Sequence, residues 1–301
     1  MEKDKEKSLE WVIPALITLL NERGKIDFRL LEKQIEYLSS AGVHGFFING
    51  TTGEGPYLTR DEKIMVYKHV REATGDKQLL CAACINPSTD MTIEEIHAFE
   101  ALEPDFFVAV TPYYYEVPQE VIENHYRRIA SASPFHIIMY NIPQCTHNKI
   151  EFETILNLTS EHNIRGIKDS SGDFITFSRG HEDVFPEHFS WIQGEDFLDG
   201  ASLILGAHGL VTGLGNIWIE PYVELYREAK RGNASKVNDN QNKINRLYEI
   251  IRVTDGKAIP SIKAAVSLLG RSEKWTRLQS YELSNEETAK VKDVLSDLEL
   301  L

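Results

Sequence analysis

Cysteine is scarce. Cys81, Cys84 and Cys145 are too few in 301 residues for a disulfide framework, so reduced thiols are expected and the fold must rest on its core. No stretch approaches the roughly 18 uninterrupted apolar residues that a membrane span needs. The opening run, Met1-Glu2-Lys3-Asp4-Lys5-Glu6-Lys7, mixes both charges and lacks the apolar segment of a secretory leader, which leads us to expect a cytoplasmic location. Positive charge is also short: 32 Lys and Arg against 46 Asp and Glu leave a formal −14, a field that repels polyanions. Nucleic acid and anionic membranes are therefore not expected as partners. Neither Gly50–Gly55 nor Gly209–Gly215 matches GxGxxG or a P-loop, so no nucleotide-phosphate cradle is expected. No low-complexity tract or Pro/Gly/Ser linker asks for a second independent domain.

What is present is a regular alternation. With 42 % hydrophobic residues the chain can bury a sizeable core. Short apolar runs rich in β-branched and aromatic residues recur at Trp11–Thr18, Val43–Asn49, Leu79–Ile85, Asp105–Thr111, Phe135–Ile142, Arg165–Asp169, Phe189–Gln193 and His208–Leu214. Their starts are about 28 residues apart, close to the ~30 of a strand–helix–strand unit. Helix-period stretches at Phe28–Ser39, Arg60–Glu72, Ile93–Leu102, Gln119–Ala130 and Phe152–Ser160 fill gaps between them. Continuous apolar strands fit a parallel sheet covered on both faces, and eight units fit an α/β (β/α)₈ TIM barrel, with a doubly wound sheet as the alternative. After Pro221 the strand signal stops and Tyr222–Arg231, Lys236–Arg252, Ile259–Leu269 and Glu286–Leu300 read as helices. We expect a barrel over residues 1–232 and a C-terminal helical extension over 233–301.

Lys168, at the end of the sixth expected strand in Gly166-Ile167-Lys168-Asp169, is the residue with most chemical promise. A strand-end lysine can simply snorkel to solvent. A partly desolvated one becomes a neutral amine able to form a Schiff base, whereas at the ordinary pKa about one in a few thousand is neutral at pH 7. Gly50-Thr51-Thr52-Gly53-Glu54-Gly55 follows the second strand, and its hydroxyls and turn N–H groups suit a small carboxylate. Thr111-Pro112-Tyr113-Tyr114-Tyr115 ends the fourth strand and Tyr140-Asn141-Ile142-Pro143 the fifth. Each alone reads as a turn or a rim aromatic. Together they put hydroxyl or amine groups on four strand ends of the face where barrel enzymes build active sites.

The CxxC of Cys81 and Cys84 lies on a strand, where residues three apart point to opposite faces and cannot readily share a metal. His181, Glu182, Glu187 and His188 flank a Val-Phe-Pro break and read as a solvated face. No metal and no cofactor are expected.

These residues resemble the dihydrodipicolinate synthase and N-acetylneuraminate lyase family of pyruvate-dependent class I aldolases. The matching pieces are Gly50–Glu54, Thr111–Tyr114, Tyr140–Pro143, Gly166–Asp169 with Ser171-Gly172, Gly206–Asn216, and Ile259–Ala265 with Leu268–Gly270; the similarity is collinear from about Pro14 to Gly270. The resemblance implies that Lys168 forms an imine with a keto acid, that Tyr140 transfers the proton with Thr51 and Tyr114 as its relay, and that Thr52 helps hold the pyruvate carboxylate. It further implies that the backbone of Gly194 and Val211 lines the pocket, and that Tyr114 comes from a neighbouring subunit of a homo-oligomer, a dimer or tetramer. In the synthases an arginine two residues beyond the proline grips the aldehyde's carboxylate; here that residue is Cys145, and His147 replaces the usual glycine. Gly53-Glu54-Gly55-Pro56 is more similar to 2-keto-3-deoxy sugar acid aldolases. The expected activity is cleavage or formation of a C–C bond between pyruvate and a hydroxylated aldehyde. The alternatives are a synthase using aspartate semialdehyde and a non-catalytic keto-acid binder.

Overall fold

The computed structural model describes residues 11–181 and 185–301. Eight strands, β1 (Val12–Pro14), β2 (Gly45–Ile48), β3 (Leu79–Cys84), β4 (Phe106–Val110), β5 (Ile137–Asn141), β6 (Ile164–Asp169), β7 (Ser190–Gln193) and β8 (Gly209–Thr212), pair in parallel in the order β1-β8-β7-β6-β5-β4-β3-β2. A parallel bridge between Ala15 and Phe47 joins the two ends, supported by Leu16 N donating to Phe47 O at 3.0 Å and His44 N to Val12 O at 3.1 Å. The sheet is thus a barrel, and the doubly wound alternative is excluded.

Strand alternation divides the apolar residues into two layers. Trp11, Ile13, Phe47, Val108, Ile138 and Ile192 belong to the barrel interior, while Phe46, Ile48, Leu80, Phe107 and Ile167 face the surrounding helices. Cys81 falls in the inner cluster and Cys84 in the outer one, as the strand geometry requires. The outer layer is sealed by α1 (Phe28–Ser40), α2 (Arg60–Thr74), α3 (Thr89–Phe99), α4 (Gln119–Ala132), α5 (Phe152–Leu158), α6 (Phe174–His181), α7 (Asp199–Ile204) and α8 (Glu220–Lys230). Side-chain caps start several of them: Asp27 accepts from Leu30 N, and Thr59 forms a capping box with Glu62. Helices at Ala234–Leu247, Glu249–Arg252, Ala258–Leu268 and Asn285–Asp297 follow.

Two expectations need correction. The first apolar run extends to Thr18, yet its strand ends at Pro14; beyond it Ile17 N is satisfied by Asn216 Oδ1 at 3.2 Å, so the run marks burial rather than pairing. Lys236–Arg252 is not one helix but two, divided at Tyr248, whose ring packs on Phe197 with centroids 4.5 Å apart. In the surface segment, Glu182 and the side chain of His181 lie outside the described residues. His188 is half-buried, with Nε2 3.2 Å from the Thr159 carbonyl.

Candidate active site

All the strands are parallel, so their C-terminal ends share one face of the barrel. Lys168 stands there on β6, opposite Tyr140 on β5 and Ile192 on β7 in the register. It is only 5 % exposed. Its Nζ lies 3.8 Å from the centroid of the Tyr140 ring and 4.4 Å from that of Phe47, so two aromatic faces hold the amine. Below it is a small apolar cavity lined by Trp11, Phe47, Cys81, Val108 and Val211. The amine therefore sits on an apolar floor and faces the strand-end loops.

Those loops bring further groups to it. The Tyr140 hydroxyl is 3.5 Å from Thr51 Oγ1. The Thr51 loop is pinned by Thr18 Oγ1, which donates to Gly53 O at 2.6 Å, and Thr52 lies against Gly213, where a Cβ would come 3.0 Å from Thr52 Oγ1. Gly194, after β7, lies beside the lysine: a Cβ there would meet Ser170 Oγ at 2.3 Å and Lys168 Cε at 3.1 Å. A larger residue fits only if Ser170 Oγ moves aside and the lysine gives slightly. Ser170 Oγ donates to Gly194 O at 3.1 Å, and Gly194 N donates to Asp169 O at 2.8 Å, tying the two loops together. Val211 is buried in the inner layer on β8.

Cys145 lies in a helical turn at Pro143–Thr146 and is an exposed residue whose thiol is partly covered. Partial burial raises its pKa while the nearby Lys168 opposes the rise. Beside it Gln144 Nε2 donates to Ser170 O at 2.9 Å. The turn ends at His147 with φ +60°, the conformation that glycine adopts more readily. Tyr114 does not join the group within this chain. It is 78 % exposed, with its ring edge-on to Tyr115, whereas Tyr113 packs against the barrel interior.

Several buried or half-buried charged groups lie near the site. Asp196 accepts from Thr212 Oγ1 at 2.8 Å and Tyr222 OH at 2.7 Å; burial pushes its carboxyl pKa up, against the pull of these donors and of Lys168. Burial likewise raises Glu195 and, further, Asp199, with neighbouring carboxylates adding to both. Glu54, at φ +57° in the Thr51 loop, forms a buried ion pair with Lys263 from the Ala258–Leu268 helix and accepts from Arg277 N at 2.7 Å. A lysine inside Ile259–Ala265, a helical stretch with no other charge, was the available clue. Among the described residues no three His, Cys, Asp or Glu gather in a group able to hold a metal, and no helix is long and apolar enough to cross a membrane.

The model of the Dihydrodipicolinate synthetase family matches residues 8–298. The chain belongs to this family. It is accordingly a pyruvate-dependent lyase of the class I, lysine Schiff-base type. Among its relatives, the 4-hydroxy-tetrahydrodipicolinate synthases of Bdellovibrio bacteriovorus and Archaeoglobus fulgidus are each 32 % identical, over 286 and 292 residues. The matches cover 95 % of this chain and 96 % of the first, and 97 % and 99 % with the second. A solved dihydrodipicolinate synthase from Acinetobacter baumannii, chloride-inhibited and complexed with pyruvate, superposes with a TM-score of 0.92 at 27 % identity, over 97 % of this chain and all of that one.

Proposed function

We propose that Lys168 is the imine-forming residue, and that the chain makes or breaks a C–C bond between pyruvate and an aldehyde at the barrel mouth. The burial of Lys168 between Tyr140 and Phe47, within reach of loops that carry hydroxyls, is the observation that carries this reading. The Lys168 amine adds to the ketone carbon of a 2-keto acid and water leaves. When the bond between C3 and C4 breaks, its electron pair passes into the imine and the aldehyde departs. The Tyr140 hydroxyl takes and returns the proton, with Thr51 and a Tyr114 from a second copy of the chain as relay. Thr52 and the backbone of Gly194 and Val211 hold the keto acid. A homo-oligomer, dimer or tetramer, a cytoplasmic location and the division at residue 232 belong to the same proposal.

Two readings of the aldehyde remain, each with its own support. The names of the relatives give more support to a synthase using aspartate semialdehyde. The rim favours a neutral hydroxylated aldehyde from a 2-keto-3-deoxy sugar acid: Cys145 offers no guanidinium, Glu195 is acidic, and Gln144 and His147 are exposed and polar. Missing charge-assisted hydrogen bonds to a second carboxylate amount to about 1.5–3 kcal/mol, roughly 10- to 150-fold in kcat/KM.

Borohydride reduction with pyruvate is expected to leave an adduct on the peptide containing Lys168; labelling of another lysine, or of none, would remove Lys168 from the mechanism. In condensation kinetics glyceraldehyde is expected to exceed aspartate semialdehyde by at least about tenfold in kcat/KM. Equal or better use of aspartate semialdehyde would establish the synthase reading.

A further inference from the structure

We propose that Asn148 is the positioning residue that holds Tyr114 in its working conformation, through hydrogen bonds to the chain on both sides of it. The inference rests on the reading of Tyr114 as a relay group. Tyr114 has φ +84°, a conformation that an L residue with a bulky side chain rarely adopts. Tyr114 is 78 % exposed, its ring meeting that of Tyr115, so packing inside its own chain offsets little of the strain. A strained backbone persists where its surroundings over-determine it, and such strain gathers at functional sites.

The surroundings here come from one side chain. Asn148 is 4 % exposed, and its Nδ2 donates to Pro112 O and to Tyr115 O, each at 2.8 Å, anchoring the backbone before and after Tyr114. Its Oδ1 accepts from Val117 N at 2.8 Å and fixes the far end of the same loop. Asn148 is itself held: its carbonyl oxygen accepts from Thr111 Oγ1 and from Thr146 Oγ1, both at 3.1 Å. It follows directly on the turn that carries Cys145. One amide therefore locks the loop after β4 to the loop after β5, and sets the tyrosine relative to the mouth. An amide supplies both two N–H donors and an acceptor; aspartate would lose the donors, and valine would lose everything.

The test is a double-mutant cycle on the full chain, with pyruvate and either glyceraldehyde or aspartate semialdehyde as probes. Asn148→Val is expected to lower kcat about 10- to 100-fold, the scale of a misplacement of about 1 Å, while trapping of pyruvate on Lys168 is unchanged. Asn148→Val combined with Tyr114→Phe is expected to be no slower than Tyr114→Phe alone, because both remove the same contribution. Asn148→Ser keeps one donor and one acceptor; it is expected to retain part of the rate, and it runs the same cycle should the valine variant fail to fold. Losses that multiply, or wild-type kcat in the folded variant, would overturn the inference. Absence of any pyruvate adduct in the wild type would instead overturn the reading of the site, and this inference with it.

Discussion

Tyr140 has two separable roles. Its ring, 2 % exposed, forms one wall against the Lys168 amine, and its hydroxyl points to Thr51. Tyr140→Phe keeps the wall and removes the hydroxyl, so we expect kcat to fall about 10²-fold or more, with a smaller change in pyruvate binding. Steady-state kinetics beside borohydride trapping would separate the two, and near-wild-type turnover would take the phenol out of the chemistry. His125, on α4, makes a different residue-scale prediction. Burial lowers its pKa from 6.5 to about 4, and it sits between the Thr89 hydroxyl on Nδ1 and the Val110 carbonyl on Nε2. The unfolded chain binds this proton first. Stability owed to the neutral ring is therefore complete above pH 6.5 and is lost as pH falls toward 4, by about 3 kcal/mol over the interval. The difference in unfolding free energy between wild type and His125→Gln is expected to shrink by that amount in denaturant titrations across this range. A difference that does not change with pH would mean that the ring charges in the folded protein.

At the scale of elements, the C-terminal helices reach into the active site. The Ala258–Leu268 helix supplies Lys263, fully buried, to Glu54 in the loop that also carries Thr51 and Thr52. Removing one partner leaves a buried charge uncompensated, at a cost of about 3–5 kcal/mol. Lys263→Met is expected to show that loss in chemical denaturation, and Glu54→Gln with Lys263→Met to recover part of it. A double variant as unstable as the sum of the singles would mean that the two groups act independently. Elements differ in how far the sequence disclosed them. All eight strands were legible from short runs at regular spacing, apolar for the most part, although β6 carries Arg165, Lys168 and Asp169. The apolar period of α3 begins at Ile93, but the helix starts at Thr89 because Ser88 accepts from Met91 N; its first turn, Thr89-Asp90-Met91, lacks that period. Lys168, Tyr140 and Thr51 were legible as candidates because strand ends of a parallel barrel meet on one face. The pairing of Glu54 with Lys263 was not, since 209 residues separate them and the lone lysine within Ile259–Ala265 hints at a buried charge without naming its partner. Asn148 was hidden for a similar reason: its partners are carbonyls some thirty residues earlier, and backbone groups carry no mark in a sequence.

For the whole molecule, the closure of the barrel has a consequence in time. Between β1 and β2 the ladder contains the single pair Ala15–Phe47, where the other seams have from two to five. Local opening follows the least supported hydrogen bonds, so this seam is where the cylinder should breathe. The amides of Leu16 and His44, which bond across it, are expected to exchange with deuterium before those of β4 and β5; equal protection around the ring would show that the barrel opens only as a unit. Phe47 belongs to the seam, and its ring is one of the two faces that hold the Lys168 amine. Each opening would then loosen one wall of the lysine's enclosure and admit solvent. A keto acid bonded to Lys168 would add contacts at this mouth, and the exchange rate at Leu16 would become a gauge of occupancy that can be read without turnover.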